Sequence, residues 1–269
     1  MNDPLIIKKT KSEKLRKITK DQSSLSTQNI LSKEEYNSNF LNKIKSQFKN
    51  NYKLYNFIID IKSPVFTLFT RKHLKKILKN LNQFEDKIII NIGSGNNILE
   101  PSIINVDIEN YANVDFTCDI TNMPFKDGSV DAIINIAVLE HLKYPQKTLD
   151  EAYRVLKKGG YIYSSIPFIQ GFHASPYDFT RFTKEGIKVI HEKFEQTEAI
   201  ETGGPTSGFL WITQEYFAIL LSFGSKKLHL ILTILFMLIT FPLKFLDFLL
   251  QYHPSAHNIS SFFTYIGKK

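Results

Sequence analysis

The sequence predicts an α/β fold: a doubly wound, mostly parallel seven-stranded sheet with a hydrophobic helical insert before the last strand. Two patterns predict it. Short runs of β-branched apolar residues alternate with amphipathic stretches through the middle of the chain, which is typical of a parallel sheet. A glycine pair, Gly93 and Gly95, directly follows the first run, where the chain must turn sharply and a ligand can approach the backbone.

The elements of the sheet domain follow from these patterns in order. The run Lys157-Lys158-Gly159-Gly160 predicts the end of the first of its two helices, because basic residues and then glycine suit a helix C-terminus. The predicted strands are 87–92, 103–107, 114–118, 130–136, 161–166, 196–202 and 260–266, and the predicted helices are 145–156 and 183–193.

The segments around these elements divide the chain into four parts. Residues 1–33 are polar and basic and predict a disordered tail, and residues 34–84 predict an N-terminal helical segment. The sheet domain is expected to comprise 85–202 together with 259–269, and the apolar insert 203–258.

The insert indicates contact with a membrane surface. Residues 228–243 are nearly all apolar, but Pro242, Lys244 and Asp247 limit the run to less than the roughly 20 residues of a spanning helix. We therefore expect helices that lie in or dip into one leaflet, with Lys244 and the pair 226–227 reaching the head groups. A short true span and a buried cap or dimer face are the alternatives.

Composition restricts the partners and the compartment. The single cysteine, Cys118, excludes an intrachain disulfide and a cysteine-based metal site, so a reducing, cytoplasmic location is expected. The net charge of +8 suits an anionic membrane or a nucleic acid, although a solvated tail and a solvated helix face are the favoured explanation of the basic runs. The histidines at 191, 229, 253 and 257 have no metal-ligand spacing, so no metal is expected.

Polar residues follow several predicted strands at the edge of the sheet where ligands bind. Asp107 ends the second strand, Asp119 and Ile120 follow the third, and Asn135 to Ala137 end the fourth. Asp107 can accept hydrogen bonds from both hydroxyls of a ribose, and Asp119 can face an adenine edge. Their structural alternatives are an exposed turn carboxylate for Asp107 and a helix N-cap for Asp119.

The order of several short motifs strengthens this interpretation. They are Ile-Gly-Ser-Gly (92–95), Asn-Val-Asp (105–107), Cys-Asp-Ile (118–120), Met-Pro-Phe (123–125), Gly-Ser-Val-Asp-Ala-Ile (128–133), Val-Leu-Glu-His-Leu (138–142) and Glu-Ala-Tyr-Arg-Val-Leu-Lys-Lys-Gly-Gly (151–160). In this order they resemble the class I S-adenosylmethionine-dependent methyltransferases, a Rossmann-like family, and within it the type 11 group.

This resemblance implies S-adenosylmethionine as the cofactor and assigns roles to residues of the predicted cleft. Gly93 and Gly95 would approach its methionine portion, Asp107 would hold its ribose, and Asp119 would contact its adenine. The other cofactor contacts that we expect are Ser94, Ile108, Ile120, Asn135 and Ala137.

Two departures from the family pattern have structural consequences. Asn91 stands where many relatives carry an acidic residue. Only 12 positions separate Gly95 from Asp107, so the usual first crossover helix must shrink to a turn or so. This shortening resembles a subgroup often found with sugar-transfer enzymes of cell-surface glycan synthesis.

The subgroup resemblance extends to residues 173–183, which follow the fifth strand and so lie over the cleft. His173 could act as a general base, Asp178 could orient it, and Arg181 could bind an anionic group of the substrate. Alternatively, Asp178 and Arg181 pair with each other to hold the loop, and His173 caps it. His141, next to Glu140, is a second candidate base.

The resulting functional hypothesis is O-methylation of a small-molecule glycan precursor or lipid-linked acceptor, by a protein peripheral or monotopic on the inner face of the membrane. Quinone or lipid methylation and a non-catalytic membrane-associated scaffold are the alternatives. Nucleic-acid methylation is disfavoured, because residues 135–138 read Asn-Ile-Ala-Val where base-amine methyltransferases carry Asn/Asp-Pro-Pro-aromatic.

Overall fold

The computed structural model describes residues 4–20, 73–75, 78 and 86–269, and a seven-stranded sheet forms its centre. The strand order is β3-β2-β1-β4-β5-β7-β6. Neighbouring strands are parallel from β3 through β5, whereas β7 runs antiparallel to both β5 and β6. The doubly wound, mostly parallel fold is confirmed. The strands are β1 (Ile89–Ile92), β2 (Ile104–Asp107), β3 (Phe116–Thr117), β4 (Val130–Ile136), β5 (Leu156–Pro167), β6 (Glu195–Gly203) and β7 (Phe262–Lys268).

Helices flank the sheet, and the expected hydrophobic helical insert occupies the connection between β6 and β7. The α-helices are α1 (Pro4–Ile18), α2 (Pro145–Val155), α3 (Lys184–Ile190), α4 (Pro205–Leu221), α5 (Lys226–Thr240) and α6 (Asp247–Leu250). Short 3₁₀ segments cover Leu139–His141, Phe241–Leu246 and Ala256–Asn258.

The inner strands are apolar on both faces because both faces of the sheet are covered. All four residues of β1 are buried. Ile90 and Ile92 join the core cluster that α2 covers, while Ile89 joins a second cluster on the opposite face with Leu74 and Leu78. Burial on two sides explains why β1 carries isoleucines on both faces and not on alternate positions only.

The prediction that the Lys-Lys-Gly-Gly run forms the C-terminal end of α2 is wrong. The helix ends at Val155, and the run belongs to β5, whose first residue, Leu156, already pairs with Val130 of β4. The turn before β4 contacts the C-terminal end of the helix through a hydrogen bond, in which Ser129 N–H donates to Val155 O at 2.8 Å. Gly159 has φ +76°, a left-handed conformation within the irregular part of the strand.

The predicted disordered tail is also wrong over the part that the structure describes. Residues 4–18 form α1, and Leu15 and Ile18 are buried in the core of the sheet domain. The chain after α1 pairs with the 124–126 segment: Lys126 N–H donates to Ile18 O at 2.6 Å and Lys20 N–H to Pro124 O at 2.9 Å. Spacing of three residues puts Leu15 and Ile18 on one helix face, so two apolar side chains suffice to dock a polar helix.

Basic residues of this helix have specific partners rather than only solvent. Lys14 Nζ donates to the carbonyl of Lys87 at 2.7 Å, next to the start of β1, and Lys11 Nζ pairs with Asp115 at 2.8 Å. The rest of the predicted tail, and the predicted 34–84 helical segment apart from 73–75 and 78, lie outside the described residues.

We expect Ile18→Ala to lower the free energy of unfolding by roughly 2–5 kcal/mol, because it leaves a cavity beneath α1. Urea unfolding monitored by tryptophan fluorescence and circular dichroism would measure the loss. Arg16→Ala, at an exposed position of the same helix, is the matched control and should change stability by less than about 0.5 kcal/mol. Equal stability of the two variants would mean that α1 is not docked in solution.

Candidate functional site

A glycine loop and a carboxylate meet at the carboxyl ends of β1 and β2. Gly95 N–H donates to Asp107 Oδ2 at 2.7 Å, and Glu109 N–H donates to Asp107 Oδ1 at 2.9 Å. Ser94, between the glycines, donates its backbone N–H to Val106 O at 3.2 Å. The structure therefore brings Gly93, Ser94, Gly95 and Asp107 into one site next to the switch between β1 and β4, where such sheets bind ligands.

The two glycines differ in what surrounds them. Gly93 has φ +63°, and a Cβ built there would lie 2.6 Å from Val138 Cγ2. Gly95 has φ +55°, and a Cβ there would meet nothing within 4 Å. Gly93 is thus required by packing against the chain after β4, whereas Gly95 presents open backbone to a ligand.

Asparagines replace the first crossover helix. The described chain between β1 and β2 contains turns only, so the expected single turn of helix is absent there. Asn91 Nδ2 donates to Asn105 Oδ1 at 3.2 Å, and Asn105 Nδ2 donates to the carbonyls of Asn97 and Asn113 at 3.1 and 2.9 Å. A connection this short cannot satisfy its carbonyls within a helix, and the buried side-chain amides satisfy them instead.

Asp119 closes a turn after β3 and does not cap a helix, which was its structural alternative. Its Oδ1 accepts from the backbone N–H and the hydroxyl of Thr121, both at 2.8 Å. Ile120 is buried in the core, and Ile108, after β2, is exposed. Burial and the nearby carboxylates raise the pKa of the Cys118 thiol to about 12, so this cysteine stays protonated. An adenine contact by Asp119 stays a prediction.

The end of β4 turns the chain toward the cleft. Asn135 is buried, and its Nδ2 donates to Ser164 Oγ at 2.7 Å, while its Oδ1 has no hydrogen-bond partner among the described residues. Ala137 has φ +55°, a left-handed conformation rare outside glycine, and its N–H donates to Ser165 O at 2.8 Å. This strained residue directs the chain into Val138 and the 3₁₀ turn Leu139–His141.

Residues 171–181, which we call the acceptor loop, are held by an ion pair. Asp178 and Arg181 form a bidentate pair, with Oδ2 2.7 Å from Nη2, and Asp178 Oδ2 also accepts from the backbone N–H of His173 at 2.8 Å. Hydrogen bonding by Arg181 lowers the pKa of Asp178 to about 2. The alternative expectation is therefore the one observed: Asp178 and Arg181 hold the loop.

Asp178 does not orient the imidazole of His173 by a hydrogen bond, since its Oδ2 lies 3.6 Å from Nδ1. The imidazole faces Glu140 on its other side, at 3.7 Å between Nε2 and Oε1. Burial alone would lower the pKa of His173, but Glu140, the Gly171 carbonyl and Asp178 outweigh it, so this pKa lies above its ordinary value.

Glu140, His141 and His173 form what we call the Glu-His cluster. His141 Nε2 also lies 3.7 Å from Glu140 Oε1, and the two imidazole rings meet edge-on with centroids 5.1 Å apart. The Glu140 side chain is 0% exposed, and neither carboxylate oxygen has a hydrogen-bond partner among the described residues. Sequence reasoning identified Glu140 only as the neighbour of His141 and missed it as the centre of the cluster.

The family match agrees with this geometry. Residues 99–164, from the crossover into β5, match the family model described as a methyltransferase domain. Over these residues the chain is similar to the type 11 methyltransferases that its motifs resemble. Its cofactor is S-adenosylmethionine, the methyl donor that the resemblance implied.

Solved structures with some likeness to the methyltransferase include three methyltransferases. One from Thermotoga maritima is 22% identical and covers 60% of this chain and 84% of its own, with a TM-score of 0.45. One from Aquifex aeolicus is 18% identical, with 48% and 82% covered and a TM-score of 0.39. Phosphoethanolamine N-methyltransferase 2 from Haemonchus contortus is 16% identical, with 74% and 52% covered and a TM-score of 0.43.

No curated protein matches the chain. Because all three TM-scores are below 0.5, the fold assignment depends on the strand order of this sheet and not on these likenesses.

The cleft fits the cofactor of such a methyltransferase. Gly95 leaves space for an approaching ligand, Asp107 stands beside it, and Asn135 offers a buried oxygen without a partner among the described residues. These features suit a ligand with hydroxyl and amino donors. Gly93, Ser94, Gly95, Asp107 and Asn135 would hold it, and the individual contacts, including those of Ile108, Asp119, Ile120 and Ala137, stay predictions.

Gly93→Ala should destabilise the methyltransferase by roughly 1–3 kcal/mol, because its new methyl group would overlap Val138 in a left-handed backbone. Adding Val138→Ala should restore part of that stability by removing the overlapped methyl groups. Thermal unfolding of wild type, both single variants and the double variant would give the coupling free energy between the two sites. Strictly additive effects would contradict the packing described for Gly93.

Asp107→Ala should weaken the binding of S-adenosylhomocysteine at least tenfold, about 1.4 kcal/mol, because it removes the carboxylate beside the glycine loop. Titration calorimetry would measure the dissociation constant. Glu109→Ala, which keeps the backbone N–H that donates to Asp107, is the control and should bind as wild type does. Unchanged affinity in the Asp107 variant would remove this residue from the cofactor site.

Proposed function

We propose that this methyltransferase methylates an oxygen atom of a small or lipid-linked glycan precursor at the inner face of the membrane. The observation that carries the proposal is a large apolar surface on the insert, attached next to the acceptor loop. A substrate held in a membrane requires the catalytic cleft to stay close to the lipid surface, and the insert meets that requirement.

The insert exposes many large apolar side chains close together, and not only single ones scattered over its surface. Phe223 is 89% exposed and Leu249 76% exposed, although both are large apolar side chains. On each long helix the exposed apolar side chains recur at spacings of three and four, so they share a face. They include Phe209, Ile212, Tyr216, Ile219 and Leu220 on α4, and Leu230, Ile231, Ile234, Leu235, Leu238 and Ile239 on α5. Contiguous patches of this kind mark protein or membrane contacts.

The helices suit an orientation along the membrane surface. The stretch Lys226–Leu250 has 25 residues, a hydropathy of 2.0 and 11% burial of its most apolar window, so its length and composition would permit a span. Its C-terminal third is fixed to the domain, however. Asp247 and Lys244 are buried, which also corrects the expectation that Lys244 reaches lipid head groups. The remaining helix, α5, has 15 residues and measures about 22 Å, which is short of a bilayer core of about 30 Å.

Polar groups in the α4–α5 hairpin support the same orientation. Glu215 pairs with His229 at 3.0 Å and Gln214 donates to Thr240 at 2.6 Å, so the helices hold each other through polar contacts. Lys226 and Lys227 are exposed near the turn between the helices. Inserting the hairpin turn first would bring these two charges into lipid, which is costly, whereas a flat orientation keeps them among head groups.

A buried aspartate fixes the base of the insert. Asp247 accepts from the backbone N–H groups of Thr206 and Ser207 at 2.7 and 2.9 Å, so it stabilises the N-terminus of α4. Gly204 allows this approach, since a Cβ there would lie 2.2 Å from Asp247 Cγ. The carboxylate thus couples the two ends of the insert.

The same base contacts the chain that leads from β5 to the acceptor loop. A Cβ on Gly208 of α4 would lie 2.0 Å from Ile259 O and 3.2 Å from Ile169 Cβ. Phe168 N–H donates to Ser261 O at 2.7 Å. Only one residue then separates Ile169 from the start of the acceptor loop at Gly171, so the insert and the loop share one support.

The chemistry of methyl transfer assigns limited tasks to the protein. S-adenosylmethionine, when bound, supplies an electrophilic methyl group on a sulfonium. The protein must position the acceptor oxygen in line with it and receive the acceptor's proton, a contribution of roughly 10²–10⁴-fold in rate. We propose that the Glu-His cluster receives this proton, with His173 as the base and Glu140 stabilising its charge. Asp178 and Arg181 position His173 by holding the loop.

We expect the full chain to float with anionic phospholipid vesicles in a density gradient. Replacing Ile231, Ile234 and Leu238 by serine should lower the vesicle-bound fraction at least tenfold, because it removes apolar area from the exposed face of α5. Val189→Ser, at an exposed apolar position of α3, is the control and should float as wild type does. A wild-type chain that remains at the bottom of the gradient as a dimer would assign this face to self-association instead.

The acceptor class can be tested with methyl-labelled S-adenosylmethionine and a membrane lipid extract. Label should enter a lipid fraction and leave it with the sugar after mild acid, which cleaves a lipid phosphate linkage. Asp107→Ala should abolish the incorporation. Label that stays with an acid-stable lipid would favour a quinone or another lipid acceptor, and no incorporation with wild type would contradict the proposed function.

A further inference from the structure

Three metal-ligating side chains converge at the carboxyl end of β4. Glu140 and His141 belong to the 3₁₀ turn that follows this strand, and His173 comes from the acceptor loop. Each imidazole places its Nε2 atom 3.7 Å from Glu140 Oε1, and the three ligand atoms lie within 4.8 Å of one another. Two different segments of the chain thus supply one compact donor set of two nitrogens and a carboxylate.

A backbone carbonyl lies within hydrogen-bonding distance of the Nδ1 atom of each imidazole. His141 Nδ1 lies 2.6 Å from Tyr177 O, and His173 Nδ1 lies 3.1 Å from Gly171 O. A carbonyl accepts only, so each Nδ1 carries its proton in these contacts and leaves the lone pair on Nε2. Metal-ligating histidines have this arrangement, in which the second ring nitrogen donates to an outer carbonyl or carboxylate.

Arg181 also approaches His173, with Nη2 3.2 Å from Nδ1. The same guanidinium nitrogen donates to Asp178 at 2.7 Å and reaches Gly171 O at 3.3 Å, so it has acceptors other than the ring. A proton on Nδ1 is therefore compatible with the contacts of the loop.

Glu140 provides the independent observation that a cation belongs here. Its side chain is 0% exposed, and neither carboxylate oxygen has a hydrogen-bond partner among the described residues. A buried carboxylate facing two nitrogen lone pairs is electrostatically unfavourable unless a positive charge lies between them. A cation at the point where the three donors meet would balance this charge.

We propose that Glu140, His141 and His173 bind one divalent metal ion of the zinc class. Two imidazoles and one carboxylate suit Zn²⁺ or Co²⁺, whereas Mg²⁺ and Ca²⁺ prefer oxygen-only sites. Tetrahedral zinc at about 2.0–2.1 Å from each ligand needs donors about 3.3 Å apart, so the acceptor loop would close by roughly 1 Å. Three protein ligands leave a fourth position for water or a substrate oxygen.

The position of the site relates it to the methyltransferase cleft. Val138, which packs on Gly93 of the glycine loop, precedes Glu140 by two residues. With an ion bound, His173 would be a ligand and not the base: the ion would bind the hydroxyl oxygen of an acceptor and lower its pKa, and the released proton would pass to water. This role rests on the proposed function, whereas the binding of the ion does not.

The test uses the tag-free full chain, dialysed against a chelator and then titrated with CoCl₂ or ZnCl₂. We expect one ion per chain by calorimetry, and Co²⁺ absorption in the visible region that Zn²⁺ removes. Glu140→Gln and His173→Gln should each weaken Co²⁺ binding at least tenfold. His257→Gln, at an exposed histidine outside the cluster, is the matched control and should leave the affinity unchanged.

S-adenosylhomocysteine affinity, measured on the same samples, separates this inference from a folding defect and from the proposed function. Lost Co²⁺ binding with retained cofactor affinity would support the metal site whether or not an acceptor is methylated. Wild type that binds no ion at micromolar concentrations would overturn it and assign the charge between the donors to protonated histidine. Undiminished Co²⁺ binding in both cluster variants would also overturn it.

Discussion

The hydrogen bond from Gly95 N–H to Asp107 is the contact on which the cofactor cleft depends. It joins the loop after β1 to the end of β2, two segments that a normal crossover helix would otherwise hold apart at fixed geometry. Here the described connection contains only turns, and asparagine side-chain amides donate to two of its carbonyls, those of Asn96 and Asn97. The carboxylate therefore stabilises the loop, and we predict that it also holds the ribose of the cofactor. One charged group serves both purposes, because the shortened connection has no helix N-terminus to offer.

The close packing of Gly93 connects the glycine loop to the chain that follows β4. Gly93 lies against Val138, and Val138 leads into the 3₁₀ turn that holds Glu140 and His141. The acceptor loop closes over this turn through the hydrogen bond from Phe179 N–H to Glu140 O at 2.7 Å. The glycine loop, the Glu-His cluster and the acceptor loop are therefore neighbours that pack against one another. A shift at any one of them would be transmitted to the others, since closely packed interiors resist local compression.

The insert is joined to the same support through its base. Asp247 binds the N-terminus of α4, and α4 packs on the segment between β5 and the acceptor loop. The base of the insert packs against the sheet domain, whereas its apolar face is exposed. This arrangement is what a protein needs if it recognises an acceptor at a lipid surface while keeping its methyl donor in a water-filled cleft.

Much of the sheet and the cofactor edge was predictable, because short-range patterns determine them. Buried parallel strands require continuous apolar runs, and the glycine and aspartate motifs mark the strand ends. The helix α1 was missed because the buried apolar residues among its described side chains are Leu15 and Ile18 alone, and its lysines have partners that are distant in sequence.

Contacts between segments that are distant in sequence decided the features that the sequence did not predict. The sequence by itself determined the positions of the strands, the cofactor class and the apolar character of the insert, because each depends on local periodicity or on a motif. Only the tertiary structure decided that Asp178 holds Arg181 rather than the imidazole, that Lys157 to Gly160 extend β5, and that Glu140 lies buried between two histidines. The physical reason is that burial and pairing energies depend on which side chains meet, and the spacing of residues along the chain does not specify this.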